Sequence, residues 1–197
     1  MSMNGSALTA LHVLQGRIQT LKLLPRIGWL QRGVRDVESV ADHSFGVASL
    51  ALLVGDLYPE LDRGRVLAIA LVHDMAEALI GDLPASASRL LGKAAKYEAE
   101  RKAMLELFAG HPLCEHYLGL WEEYSTAATP EARLVKALDR LEMLAQTLAY
   151  ERSGARNLAE FWEDRNGWSD EFPLVRALAD KLFAEHTAQH GLSERAL

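Results

Sequence analysis

Three ionisable residues lie within the most apolar segment of the chain. The segment VLAIALVHDMAEALI, residues 66–80, carries His73, Asp74 and Glu77 among otherwise hydrophobic residues. Burying an ionisable side chain is costly unless it is paired, hydrogen-bonded or bound to a metal. Imidazole nitrogens and carboxylate oxygens are common ligands of divalent metals. We therefore expect these side chains to have partners, and a metal ion is one candidate.

The spacing within this segment leaves the geometry open. In a regular helix His73 and Glu77 lie one turn apart on the same face, whereas Asp74 points elsewhere. Adjacent residues do not naturally share a face, so the spacing alone does not show that His73 and Asp74 bind one ion. The alternative is a buried histidine that is hydrogen-bonded to a neighbouring carboxylate.

Two further residues extend the set of candidate ligands. His43 lies at the start of the next most apolar segment, ESVADHSFGVASLALLVG, and Asp139 lies among leucines in RLVKALDRLEMLAQTLAY. Together with His73 and Asp74 they form a ligand set suited to Mn²⁺, Co²⁺, Fe²⁺, Mg²⁺ or Zn²⁺, with positions open for water and substrate. Taken singly, His43 could belong to a helix start and Asp139 could pair with Lys136.

Two more histidines lie between the His-Asp pair and Asp139, where a second metal site is the alternative to two surface histidines. His111 precedes Pro112 in an expected turn, and His116 begins a segment that ends in acidic residues. These surroundings favour surface histidines over a second metal site.

The elements that position these residues are predicted to be helices. Leucine and alanine dominate, and apolar residues recur every three or four positions, which is typical of helices. We expect an all-α, single-domain helical bundle. The predicted helices cover residues 7–24, 42–57, 63–80, 93–109, 113–126, 130–151 and 173–189, with a shorter one at 155–164.

The composition is that of a soluble globular protein. The 197 residues are 49% hydrophobic and 24% charged, enough to form one core without disulfides. The single cysteine, Cys114, cannot form an internal bridge. Neither a membrane span nor an N-terminal signal is recognisable, so we expect a cytoplasmic protein with no membrane partner.

Charge is unevenly distributed along the chain. The N-terminal basic segment, residues 1–35, has no acidic residue, although the whole chain carries a formal net charge of −6. An acidic body argues against nucleic acid as a partner. A basic segment beside carboxylates would suit a small anion such as phosphate, the alternative being a solvated surface. Its basic residues are Arg17, Lys22, Arg26, Arg32 and Arg35.

The order of the candidate ligands resembles a known family. A His, a His-Asp pair and a later Asp form the ligand pattern of the HD-domain superfamily of metal-dependent phosphohydrolases. The strings LLPRIGWLQRGVRDVESVADHS, ALVHDMAEALIGDLP and KALDRLEMLAQ resemble the branch of small 5′-deoxynucleotidases, which hydrolyse deoxyribonucleoside 5′-monophosphates. The resemblance implies one HD domain over residues 1–197, with a core at about 10–165 and a C-terminal helix at about 173–189 packed on it.

The resemblance also implies a cofactor and two catalytic acids. Glu77 would orient or deprotonate the attacking water, and Asp82 would hold the substrate or protonate the leaving 5′ oxygen, the two roles being interchangeable at this stage. The cofactor would be one divalent metal ion, bound by His43, His73, Asp74 and Asp139, which we call the ligand cluster.

The substrate contacts implied by the resemblance lie in the N-terminal basic segment. An Arg and a Trp before the first metal histidine contact the nucleotide in the family, and Arg26 and Trp29 occupy these places here. The Trp crowds the sugar 2′ position and favours deoxyribose. Two residues separate Arg26 from Trp29, whereas some members have them adjacent, so Arg32 or Arg35 is an alternative for the phosphate contact. Small members of the family are homodimers, which implies the same here.

The sequence leaves two other functions open. One is an HD phosphohydrolase that acts on another nucleotide or phosphate ester. The other is a non-catalytic helical module that binds a nucleotide or a metal. Glu77 and Asp82 disfavour the second, because binding alone needs no acid and base.

Overall fold

The computed structural model describes residues 5–163 and 167–194, and within these ranges the regular structure is helical. One isolated bridge joins Pro25 to Ser39. The all-α prediction is confirmed. The helices are α1 (Gly5–Ile18), α2 (Ile27–Leu30), α3 (Val40–Gly55), α4 (Arg63–Val72), α5 (Glu77–Ile80), α6 (Ala85–Leu91), α7 (Lys93–Leu107), α8 (Cys114–Thr126), α9 (Pro130–Arg152) and α10 (Pro173–Glu194), with 3₁₀ turns at Gln19–Lys22 and Ala159–Trp162.

The core lies where α3, α4, α8 and α9 meet, and α10 packs on α9. Apolar side chains from all of these helices are buried in one continuous cluster. A second, smaller cluster surrounds Trp29 and contains Tyr150 and Leu158. Among the described helices, none has the length and hydrophobicity that a membrane span requires.

Side-chain caps fix the starts of three central helices. Ser39 and Asp42 form a capping box at α3, Asp62 caps α4, and Thr129 caps α9 ahead of Pro130. Each cap satisfies backbone N–H groups that have no partner within the helix. The caps thereby define the first turns of the helices that position the ligand cluster.

The predicted helix at 63–80 is interrupted in the middle of its apolar segment. α4 ends at Val72, residues 73–76 form a turn, and α5 follows. Within the turn the Met75 N–H donates to the Val72 carbonyl and the Glu77 N–H to the Asp74 carbonyl, both at 3.1 Å. Such bonds between residues three apart are those of a tight 3₁₀ turn. The constraint that adjacent residues of a regular helix point to different faces therefore does not apply to His73 and Asp74.

Three shorter segments also differ from the prediction, and the first is the one-turn helix α2, which lies outside the predicted helices. α6 lies outside the predicted helices, and its seven residues include none that is fully buried, so its apolar pattern is weak. Of the helix predicted at 155–164, the structure has the short 3₁₀ turn Ala159–Trp162, and residue 164 lies outside the described ranges.

Candidate active site

The side chains of His43, His73 and Asp139 meet at the centre of the bundle. One nitrogen or oxygen atom from each lies within 4.8 Å of the others. His43 comes from α3, His73 from the turn that follows α4, and Asp139 from α9. The two histidines are 0% and 3% exposed, and the His43 Nε2 atom is 3.2 Å from Asp139 Oδ1. Two imidazoles and a carboxylate at this separation are a donor set that a divalent cation accepts.

Asp74 completes the group. Its Oδ2 atom is 3.2 Å from His73 Nε2, 3.7 Å from His43 Nε2 and 3.3 Å from Arg26 Nη1. Burial opposes ionisation, but the histidines and Arg26 hold the pKa of Asp74 well below its usual range. The four residues of the predicted ligand cluster therefore lie together.

Two buried nitrogen atoms show how well the cluster fits a metal. Among the described residues, the Nε2 atoms of His43 and His73 have no hydrogen-bond partner. Their Nδ1 atoms are engaged, at 2.6 Å from Glu142 Oε2 and 2.7 Å from the Ala70 carbonyl oxygen. A proton on each Nδ1 leaves an Nε2 lone pair free, as in metal-binding histidines. The orphaned Nε2 atoms beside the carboxylates therefore fit a divalent cation.

Glu142 is a supporting residue that the sequence reasoning missed. It accepts the Nδ1–H of His43 and lies on α9 three residues after Asp139, on the same face. Gly46 of α3 leaves room for this carboxylate, because a Cβ atom added there would lie 2.6 Å from Glu142 Oε1. A second acidic residue one turn after Asp139 in a core helix is the signal that could have found it.

Tyr124 of α8 was missed as well. Its hydroxyl donates to Asp139 Oδ2 at 2.5 Å, and its ring centroid is 5.2 Å from that of His73. The Lys136 ammonium lies over the same ring, 4.0 Å from its centroid. Lys136 therefore packs on Tyr124 rather than forming the simple ion pair with Asp139 that was the alternative. No sequence pattern links α8 to the ligand cluster.

The two predicted catalytic acids line the same cavity as the cluster. Glu77 is 7% exposed and its Oε2 atom has no hydrogen-bond partner among the described residues. Burial, together with the charges of Asp74 and Asp82, raises the pKa of Glu77 well above its usual range. Asp82 accepts the backbone N–H of Ile27 through Oδ2, so it also anchors the start of α2.

Two adjoining cavities open beside the cluster. The larger measures about 620 Å³ and the smaller about 380 Å³, and Arg26, Asp82, Leu83, Arg140 and Met143 line both. The basic residues of the larger cavity are Arg26, Lys93, Lys96, Lys136 and Arg140. The smaller cavity is lined by apolar groups, among them Trp29, Leu83, Pro84, Ala85, Met143 and Phe161, together with charged ones.

Trp29 lies at the wall of the smaller cavity. It is 2% exposed, and its Nε1–H donates to Glu38 Oε1 at 2.8 Å. Its ring contacts Tyr150 and Phe161, with centroids 5.3 and 4.4 Å away. Most of the indole therefore belongs to the scaffold of the cavity.

The three arginines predicted to contact the substrate differ in their positions relative to the cavities. Arg26 lines both cavities and pairs with Asp74. Arg32 lines the smaller cavity and forms an ion pair with Glu160. Arg35 is exposed and lines neither cavity. The structure thus brings Arg26 and Arg32, but not Arg35, to the candidate site.

The two histidines considered for a second metal lie away from the ligand cluster. His111 is partly buried and His116 exposed, and both rings pack against Tyr117 of α8. Neither lines the larger cavity.

Comparisons with known proteins identify the family of this chain. The family model of the HD domain matches residues 18–173. The 5′-deoxynucleotidase HDDC2 of Danio rerio is 37% identical over 174 residues, covering 86% of this chain and 84% of that protein. A conserved hypothetical protein of Pyrococcus furiosus has a TM-score of 0.76 and 39% identity, covering 86% and 96% of the two chains. A predicted metal-dependent phosphohydrolase of Magnetospirillum magnetotacticum has a TM-score of 0.67 and 29% identity, covering 90% and 95%. The resemblance is confirmed, and the chain belongs to the HD-domain family.

Proposed function

We propose that the protein is a metal-dependent 5′-deoxynucleotidase, which hydrolyses deoxyribonucleoside 5′-monophosphates to a deoxynucleoside and phosphate. The observation that carries the proposal is the ligand cluster, with its orphaned imidazole nitrogens, at a cavity lined by basic residues. The similarity to 5′-deoxynucleotidases over most of the chain supports the same activity.

The proposed metal ligands are His43, His73, Asp74 and Asp139. A bound divalent cation supplies charge neutralisation for the phosphate and makes water more acidic. The donor set accepts Mn²⁺, Co²⁺, Mg²⁺, Fe²⁺ or Zn²⁺. The basic residues offset the carboxylates of the larger cavity, so a divalent cation gives that cavity a positive charge that attracts a phosphate dianion.

Glu77 and Asp82 are the proposed acid and base. The Glu77 Oε2 atom is buried beside Asp74 with no hydrogen-bond partner among the described residues, so a water molecule in the cavity is the group it would orient. A cation at the cluster would offset the charge of Asp74 and favour the ionised form of Glu77, which could then deprotonate that water. Asp82 lines both cavities. It therefore lies where a phosphate bound in the larger cavity would be joined to a nucleoside bound in the smaller one. That position suits Asp82 to hold or protonate the 5′ oxygen as it leaves.

The smaller cavity is the proposed nucleoside site. Apolar walls from Trp29, Met143 and Phe161 offer surfaces for packing a sugar and a base. Arg26 lies at the junction of the cavities, where it reaches the phosphate, and Arg32 borders the nucleoside. Trp29 lines this cavity, so it would restrict the space at the 2′ position of a bound sugar.

We further propose a cytoplasmic homodimer that takes a small nucleotide and neither nucleic acid nor membrane. The net charge of −6 disfavours a nucleic-acid backbone as a ligand. Phe45 and Leu53 of α3 and the neighbouring Leu57 are 74%, 67% and 64% exposed, which supports a partner surface on α3. Light scattering after gel filtration tests the dimer.

The test of the activity is phosphate release from matched deoxyribo- and ribonucleoside 5′-monophosphates. The chelated protein receives one divalent metal at a time. We expect release from the deoxyribonucleotides with at least one metal, weaker release from their ribo counterparts, and none without metal. Release from ribonucleotides at equal rates would contradict the deoxy preference, and no release with any metal would contradict the activity itself.

A further inference from the structure

Lys136 differs from the other basic residues deep in the larger cavity. Arg26 is paired with Asp74 at 3.3 Å, and Lys96 with Glu100 at 3.3 Å. No carboxylate of the described residues forms an ion pair with Lys136, although it is only partly exposed and lines the cavity. Asp139, Asp74 and Glu100 act on this half-buried ammonium group only from beyond ion-pair distance. Part of the cost of its burial is therefore not offset, and a ligand that brings negative charge explains its place best.

Tyr124 holds this ammonium group beside the ligand cluster. The Tyr124 hydroxyl donates to Asp139 Oδ2, and the face of the same ring carries the Lys136 Nζ atom 4.0 Å from its centroid. A cation–π contact positions a cation without neutralising it. Because Lys136 and Asp139 are three residues apart on α9, both side chains leave the same face of that helix.

We infer that the Lys136 ammonium binds a non-bridging oxygen of the substrate's phosphoryl group. The inference rests on the proposed function, since it assigns a contact to that substrate. A phosphate monoester carries two negative charges shared by three terminal oxygens, and one divalent cation cannot contact all of them. Arg26 then contacts the phosphate from the side of Asp74, and Lys136 contacts it from the side of Asp139. A phosphate contact thus comes from α9, whereas the two arginines that were alternatives for it, Arg32 and Arg35, do not line the larger cavity.

The test measures binding of inorganic phosphate to the Mn²⁺-loaded protein by calorimetry. The variants are Lys136→Gln, Lys136→Arg and, as a matched control, Lys102→Gln, which changes an exposed lysine outside both cavities. We expect Lys136→Gln to weaken phosphate binding by at least about tenfold, as for the loss of a charge-assisted hydrogen bond. Lys136→Arg restores most of the affinity, and Mn²⁺ binding and the control are unchanged.

Wild-type affinity for phosphate in Lys136→Gln, or no phosphate binding by the wild type, would overturn the inference. If Lys136→Gln does not fold, the inference is tested instead by the rate at which a reagent acetylates the lysines of the wild-type protein. Phosphate with Mn²⁺ must slow the modification of Lys136 more than that of Lys102, and equal slowing overturns the inference. Turnover is scored separately: a wild type that binds phosphate through Lys136 but releases none from deoxynucleotides contradicts only the proposed function.

Discussion

The ligand cluster and the N-terminal basic segment place their charged residues in different ways. The four residues of the cluster come from three separate parts of the chain and converge on one point. Of the five basic residues in the N-terminal segment, Arg26 and Arg32 reach a cavity, Arg17 pairs with Glu106, and the others are exposed. Charged groups in an apolar helix must find partners, whereas charges on an amphipathic surface are under no such constraint.

Removing a member of the ligand cluster tests the comparison most severely. His73→Asn keeps a polar side chain but lacks the Nε2 lone pair, so we expect the bound metal and phosphate release to fall to background. Metal analysis and turnover measure both, and the thermal melt of the metal-free protein controls for folding. Retention of a full equivalent of metal would show that the cluster is only a buried polar network.

Replacing Glu77 should separate metal binding from chemistry. Glu77→Gln keeps the shape but removes the base, so we expect kcat to fall by about 10²-fold or more while the metal stays bound. Steady-state kinetics under saturating metal provide the measurement. An unchanged kcat would remove Glu77 from the mechanism.

The support of His43 by Glu142 gives an intermediate effect. Glu142→Gln weakens the acceptor for the His43 Nδ1–H, and we expect metal affinity to fall by about 10- to 100-fold. Gly46→Ala should act in the same direction, because its Cβ would meet the Glu142 carboxylate. Gly16→Ala, which meets nothing within 4 Å, is the control. Equal metal affinities of Gly46→Ala and Gly16→Ala in a metal titration would contradict the role of Glu142 in supporting His43.

The smallest effect is expected in the N-terminal basic segment. Arg32→Gln breaks the ion pair with Glu160 beside the smaller cavity, and we expect KM for the nucleotide to rise by about two- to fivefold, or ~0.5–1 kcal/mol. Arg35→Gln is the matched variant and should leave KM and kcat unchanged. If KM rose more in Arg35→Gln than in Arg32→Gln, the assignment of Arg32 rather than Arg35 to the nucleotide site would be wrong.

Much of the fold was predictable because apolar periodicity reports which helix faces are buried. The helices predicted at 42–57 and 130–151 correspond to α3 and α9 within a few residues. The turn at residues 73–76 was not predictable, because its apolar residues continue the pattern of a regular helix. Helix α6 was not predicted because none of its residues is fully buried, so it lacks a clear apolar pattern.

The candidate ligands of the site were predictable, whereas the residues that contact and support them were not. His43, His73, Asp74 and Asp139 stood out because each is polar in apolar surroundings, and the structure brings them together. Tyr124 did not stand out, since an aromatic residue on a helix gives no sign of which carboxylate its hydroxyl meets. The same holds for Lys136, whose surroundings are set by the packing of α8 on α9.

We expect phosphate release to depend on a divalent metal ion that the ligand cluster binds. The most direct test adds Mn²⁺ in steps to the chelated protein and follows bound Mn²⁺ and phosphate release from a deoxyribonucleoside 5′-monophosphate in the same samples. We expect phosphate release to rise in parallel with metal occupancy and to level off when each chain holds a single ion. Full release in the chelated protein, or saturation of the site without release, would contradict it.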